Sequence, residues 1–159
     1  MPELEEKIKI LMVEDDVESM KDVKAHLEED LNYTVTMSAE IDLPSRLAHT
    51  RFNLILLDLM IRPFSIKEQG VRVETLHFDD VNWRETGLEF LKRFKRGDYW
   101  RSDEHGTPPE TPVIILSAIA DTFVEIHPEV QELTAQYIEK PFRLSDFDRQ
   151  LQEVLMKGM

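Results

Sequence analysis

The run Leu54–Leu57, LILL, constrains the chain more than any other stretch. Four successive apolar residues leave no face for water. Such a segment suits a strand covered on both sides, as in a parallel sheet. The run stops on a carboxylate, Asp58, and Leu59, Met60, Ile61, Arg62 and Pro63 follow. A charge at the end of a buried strand is costly unless a partner or a metal ion meets it. In open α/β sheets ligands gather where the carboxyl ends of strands meet loops. Asp58 is therefore either an isolated strand end or the centre of a site, and the rest of the chain decides.

A second apolar run precedes it. Residues Lys7–Val13 read as a buried strand that ends in three acids, Glu14, Asp15 and Asp16. A helix start accounts for one of them, with Asp16 as its N-cap, but not for three. Val17, Met20, Val23, Leu27 and Leu31 then recur at helical spacing until Asn32. Tyr33–Met37 is a short β-rich run, and a helix follows at about Pro44–Thr50 with Leu43 and Leu47 inward. Strand, helix, strand, helix, strand is the alternation of a doubly wound parallel sheet. Right-handed crossovers bring the carboxyl ends of its strands to one edge, so Glu14, Asp15 and Asp58 converge. Packed carboxylates repel unless a cation lies among them, and an all-oxygen cluster suits Mg²⁺.

The alternation continues. Arg62–Arg84 is irregular and leaves from the acidic edge, with Val71–Phe78 alternating enough for a hairpin arm. Thr86–Phe94 has helical spacing, and Arg96–Pro112 is a turn-rich loop at the opposite edge. Val113–Leu116 is a fourth strand, ending at Ser117. Pro128 opens a helix that runs to about Ala135. Gln136–Glu139 is a fifth strand, ending at Lys140 and Pro141, and a last helix carries Leu144, Phe147, Leu151, Val154 and Leu155 on one face. The 159 residues read as a single domain with an insertion at about 62–85 and a long loop at about 97–111.

Composition removes other classes. Lys and Arg total 19 against 32 Asp and Glu, a formal net charge of −13, which disfavours direct binding to nucleic acid or anionic lipid. The absence of cysteine excludes thiol catalysis, zinc–thiolate sites and disulfides. No apolar run approaches the roughly 20 residues of a membrane span, and the first residues lack a signal-peptide layout. A cytoplasmic protein is expected. Asp103, Glu104 and His105 read as a solvated loop rather than a metal cluster.

The strand ends together offer Glu14 and Asp15, Asp58, Ser117 and Lys140. Carboxylates, a divalent ion and an ammonium hold a phosphoryl group by neutralising its oxygens, and a carboxylate can itself accept the group as an aspartyl-phosphate. At this point the chain resembles the receiver domain of two-component response regulators. The resemblance rests on ILMVEDD (Ile10–Asp16), LILLDLM (Leu54–Met60), TGLEFLKRF (Thr86–Phe94), PVIILSA (Pro112–Ala118) and YIEKPF (Tyr137–Phe142), which occur in the family's order. It implies a flavodoxin-like sheet in the order 2-1-3-4-5 with helices on both faces.

It also implies roles. Asp58 matches the phosphoacceptor, Asp15 the acid that binds Mg²⁺ directly, and Glu14 its helper. The backbone carbonyl of Met60 is a further implied ligand. Ser117 matches the hydroxyl that moves toward the phosphate, Lys140 the lysine that neutralises it, and Tyr137 the aromatic that turns inward on activation. Pro141 is implied to follow a cis peptide. The implied donor is a histidine kinase or histidine phosphotransfer domain, and the implied output is contact with a downstream protein whose identity is open, with a homodimer allowed. On this reading the domain is no enzyme beyond its own phosphorylation and slow dephosphorylation.

The chain departs from the pattern at Gly87. It stands 29 positions after Asp58 (87 − 58), well beyond the family's usual spacing. Met60 and Ile119 are apolar where side chains help set the life of the phosphate. An alternative is a receiver-like interaction module that acts without phosphorylation. A phosphatase with an aspartate nucleophile is a third reading, but Met60 takes the place of its second acid.

Overall fold

The structure is a computed structural model that describes residues 7–66, 72–100, 105–118 and 125–157. Five parallel strands form the central sheet. β1 (Lys9–Val13), β2 (Thr34–Met37), β3 (Leu54–Leu57), β6 (Val113–Ser117) and β7 (Gln136–Glu139) lie in the order β2-β1-β3-β6-β7. Counted within this sheet, that is the expected 2-1-3-4-5. The two remaining strands, β4 (Phe64–Ile66) and β5 (Arg72–Glu74), pair antiparallel as a separate hairpin inside the insertion.

Every residue of β3 is buried, because each face of the sheet carries its own core. Leu11, Val13, Ile55, Leu57, Val113 and Ile115 point to one side. There they meet Leu43 and Leu47 of α2 (Leu43–His49) and Leu88, Leu91 and Phe94 of α3 (Thr86–Lys95). Ile10, Met12, Leu54, Leu56, Ile114 and Leu116 point to the other side, with Val23 of α1 (Lys21–Ala25), Leu27, and Phe147 and Leu151 of α5 (Leu144–Lys157). The period-two alternation of a strand thus shows as two apolar sets rather than one apolar and one polar set.

Local chemistry sets the ends of the helices. Ser19 donates its backbone N–H to Asp16 Oδ1 at 3.3 Å, so Asp16 does bind the first helical turn. After Ala25 the helix widens into a π turn, His26–Asp30. It stops where Asn32 takes a positive φ of 58°; asparagine tolerates that left-handed conformation. Pro44 sits in the first turn of α2. Helix α4 spans Glu129–Leu133 after Pro128 and so ends before Ala135, whose N–H donates to the Val113 carbonyl and joins the sheet instead.

The π turn carries an unforeseen tie. His26 Nδ1 lies 2.6 Å from Asp30 and its Nε2 lies 2.7 Å from Asp148 of α5. A ring with a carboxylate at each nitrogen keeps both protons. The hydrogen bond with Asp30, then that with Asp148, raises the His26 pKa above its ordinary 6.5 against the lowering effect of burial. The folded pKa exceeds the unfolded one, so the stabilisation is complete below the unfolded value and fades as pH rises through the folded value. Stability is expected to fall as pH rises from the ordinary histidine value of 6.5 through the raised folded value, by an amount reduced by the solvent around Asp30. In His26→Gln that part of the pH dependence should vanish from urea titrations. An unchanged slope would assign the dependence to other groups.

Candidate functional site

The register of the sheet assembles the site. Val13 pairs with Leu57, and the Asp58 N–H donates to the Val13 carbonyl at 3.0 Å. One residue past each strand end, Glu14 and Asp58 therefore lie side by side. Ligand oxygens of Glu14, Asp15 and Asp58 all lie within 4.8 Å of one another. On the other side of β3, Ser117 pairs with Glu139. The Lys140 N–H donates to the Ser117 carbonyl at 3.1 Å, which brings the hydroxyl-bearing residue and the lysine to the same edge. Lys140–Pro141 is a cis peptide, as the resemblance implies.

Lys140 Nζ lies 2.6 Å from Glu14 Oε1 and 3.5 Å from Asp58 Oδ2. One ammonium faces two carboxylates, and the Glu14 side chain is only 3% exposed. Glu14 Oε2 is buried with no hydrogen-bond donor among the described residues. Burial first, and then the hydrogen bond and charge of Asp58, push the Glu14 carboxyl up to about 9, against the pull of Lys140. Burial alone would lower the Lys140 ammonium, but the charges and hydrogen bonds of Glu14 and Asp58 outweigh it and raise it. The Glu14 carboxyl therefore favours its protonated form near neutral pH, a preference that a cation held among the three acids would reverse.

Two contacts fix Asp58 and the backbone after it. The Met60 N–H donates to Asp58 Oδ1 at 3.0 Å. Oδ2 is left facing Lys140. Behind the loop, the Gly87 N–H donates to the Leu59 carbonyl at 2.9 Å. A Cβ on Gly87 would stand 2.5 Å from Leu59 Cα and 2.6 Å from the Asp58 carbonyl oxygen. The glycine therefore packs directly on the Asp58–Leu59 backbone in spite of the long intervening sequence.

The donor set fits a hard divalent cation. All three side chains offer carboxylate oxygens, and Glu14 Oε2 is a buried oxygen that meets no donor among the described residues. Asp15, Asp58 and Glu14, with the Met60 carbonyl beside them in the chain, would hold such an ion.

Tyr137 is half-buried and packs against the core on the α2–α3 side. Asp103 and Glu104 lie outside the described residues, as does Ile119.

Sequence reasoning overlooked Arg62. Its Nε donates to Asp15 Oδ2 at 2.9 Å and its backbone N–H to the same oxygen at 3.2 Å. The hydrogen bond to Asp15 leads the causes that raise the pKa of this guanidinium. The only hint in the sequence was an arginine four positions past Asp58 (62 − 58), directly before Pro63.

No protein-family model matches the chain, and no curated protein matches it. Solved structures do. The chain is 25% identical to the non-phosphorylated HemR receiver domain from Leptospira biflexa, with a TM-score of 0.62 and 94% of each chain covered. The receiver domain of a sensor histidine kinase from Pseudomonas aeruginosa, solved with magnesium coordinated in its active-site cleft, aligns at 21% identity and a TM-score of 0.61. The match covers 94% of this chain and 98% of that one. A CheY-like receiver domain protein from Methanospirillum hungatei aligns at 19% identity and a TM-score of 0.64, covering 96% and 97%. Near-complete coverage in both directions, with the acidic cluster at the carboxyl edge of the same sheet, shows that this chain has the fold of the response regulator receiver domains.

Proposed function

We propose that the chain is a phosphoacceptor signalling domain in which Asp58 takes a phosphoryl group from a phosphohistidine. The observation that carries this reading is Lys140 Nζ set between Glu14 and Asp58, with Asp15 completing the acidic cluster. In the step, Asp58 Oδ2 attacks phosphorus, the P–N bond to the donor imidazole breaks, and its electron pair leaves with the imidazole. Asp58 is the nucleophile, and the Met60 N–H keeps its other oxygen in place. Lys140 and the Ser117 hydroxyl are proposed to meet the phosphoryl oxygens. Bound Mg²⁺ supplies neutralising charge for those oxygens. Positioning and charge account for most of the rate, so the domain needs no further catalytic machinery.

The proposed donor is a histidine kinase or histidine phosphotransfer domain. The output is a switch in protein–protein contacts, in which Ser117 and Tyr137 take part, with a downstream protein or a second copy of the chain. Among the described residues no helix is long and apolar enough to cross a membrane. A cytoplasmic setting remains part of the proposal on the sequence alone.

Incubation with acetyl phosphate should label the protein in the presence of Mg²⁺ and leave it unlabelled with a chelator. Labelling that is insensitive to chelation would remove the metal from the mechanism. No labelling from acetyl phosphate or from a phosphorylated transfer domain would favour the interaction module that acts without phosphorylation.

A further inference from the structure

The insertion brings a cation of its own to the acidic cluster. Arg62 places two donors, the backbone N–H and Nε, on one oxygen, Asp15 Oδ2. A carboxylate oxygen has two lone-pair sites, so this oxygen is fully used. The Asp15 side chain is 4% exposed while that of Arg62 is 58% exposed. The acceptor is buried and the cation's outer face is wet.

The backbone that carries this cation is held independently of the guanidinium. Thr75 Oγ1 donates to the Arg62 carbonyl, and the Thr75 N–H donates to the Pro63 carbonyl at 2.9 Å. Thr75 is itself buried and bridges to Glu40, while the Leu76 N–H donates to the Ala39 carbonyl at 2.6 Å. The return arm of the hairpin thus docks just beyond β2 and fixes where Arg62 leaves the sheet. The side chain is free to swing away without unmaking those contacts.

We infer that Arg62 is a tethered counter-cation that a divalent ion must displace from Asp15, so that the insertion sets the metal affinity of the site. The inference rests on the preceding reading in one respect, that Asp15 is a metal ligand. While Arg62 is seated, an arriving ion finds Asp15 Oδ2 occupied and meets a positive charge beside the remaining oxygens. Removing the side chain frees one of the two lone-pair sites of that oxygen, the backbone N–H keeping the other, and deletes the repulsion. Mg²⁺ should then bind roughly 5- to 30-fold more tightly, the range for loss of one charge-assisted pair with a buried acceptor. Arg62→Lys keeps a charge but loses the guanidinium fork and should give a smaller gain.

The test is calorimetric titration of the full chain with MgCl₂ alone, on wild type, Arg62→Ala, Arg62→Lys and Asp15→Asn. In parallel, the Nε–Hε resonance of Arg62, identified by its absence in Arg62→Lys, is followed by NMR. The expected result is tighter binding in Arg62→Ala, an intermediate value in Arg62→Lys, no binding in Asp15→Asn, and a shift of the Hε resonance on Mg²⁺ addition to wild type. If wild type binds Mg²⁺ through Asp15 but Arg62→Ala binds with equal or lower affinity, the tether is wrong and the metal site stands. If neither binds at tens of millimolar, or if Asp15→Asn binds as wild type does, the metal site falls and the tether falls with it. Should Arg62→Ala fail to fold, Arg62→Lys decides alone: an affinity equal to wild type overturns the inference.

Discussion

Gly87→Ala should destabilise the domain and impair the acceptor loop, although alanine is the better helix former. In an exposed helix the exchange gains up to about 1 kcal/mol. Gly87 is not in open space. The added methyl would meet Leu59 Cα at 2.5 Å, the Asp58 carbonyl oxygen at 2.6 Å and the Leu59 carbonyl oxygen at 2.7 Å. All three are backbone atoms, so no side chain can rotate out of the way. Either the start of α3 withdraws from the sheet or the Asp58–Leu59 peptide moves. Overpacking of this kind costs about 3 kcal/mol, which outweighs the propensity gain and leaves a net loss of about 2 kcal/mol. For a domain of this size that is a drop of about 5 °C in Tm. Moving the peptide also misplaces the Met60 N–H that orients Asp58, so phosphoryl acceptance should fall as well, at least tenfold. Calorimetry and the rate with acetyl phosphate check the two effects. A Tm equal to or above that of wild type would mean that α3 yields freely and that the glycine is incidental.

Phospho-Asp58 should be long-lived, with a half-life closer to hours than seconds. Loss of the phosphate needs a water in line with the acyl-phosphate bond. Met60, two residues past the acceptor, donates its backbone N–H to Asp58, but its thioether is at best a weak acceptor for that water. Absence of one orienting contact costs about 1–3 kcal/mol of transition-state stabilisation, or roughly 5- to 150-fold in rate. Met60→Asn should restore the contact and shorten the half-life by a factor in that range, measured by the decay of the phosphorylated mass in excess Mg²⁺. A wild-type half-life of seconds would contradict the expectation. A long half-life that Met60→Asn leaves unchanged would contradict the cause. Ile119, the second apolar position expected to matter, lies outside the described residues.

The parts legible in the sequence were those set by local pattern. LILL had to be covered on both faces, and β3 is buried throughout between two cores. The charges at strand ends had to meet at one edge once the crossovers share a hand, and Glu14, Asp15, Asp58 and Lys140 do meet. The parts that escaped are set by approach in space. Nothing near Arg62 in the chain says that it reaches Asp15, 47 positions away. Nothing near His26 says that Asp148 closes on it from α5, 122 positions away. The π turn at His26–Asp30 was hidden because Leu27 and Leu31 still fit a helical stripe. The hairpin arm was visible as alternation in Val71–Phe78, but its strand is shorter, Arg72–Glu74. Thr75 and Leu76, which follow it, turn to dock beside β2.

The claim that Asp58 is the phosphoacceptor is tested most directly by intact-mass spectrometry after acetyl phosphate and Mg²⁺. The account predicts one acid-stable, base-labile phosphoryl group per chain, mapped to the peptide containing Asp58 and absent in Asp58→Asn. Retention of the full modification in Asp58→Asn, or its mapping to another residue, would contradict it.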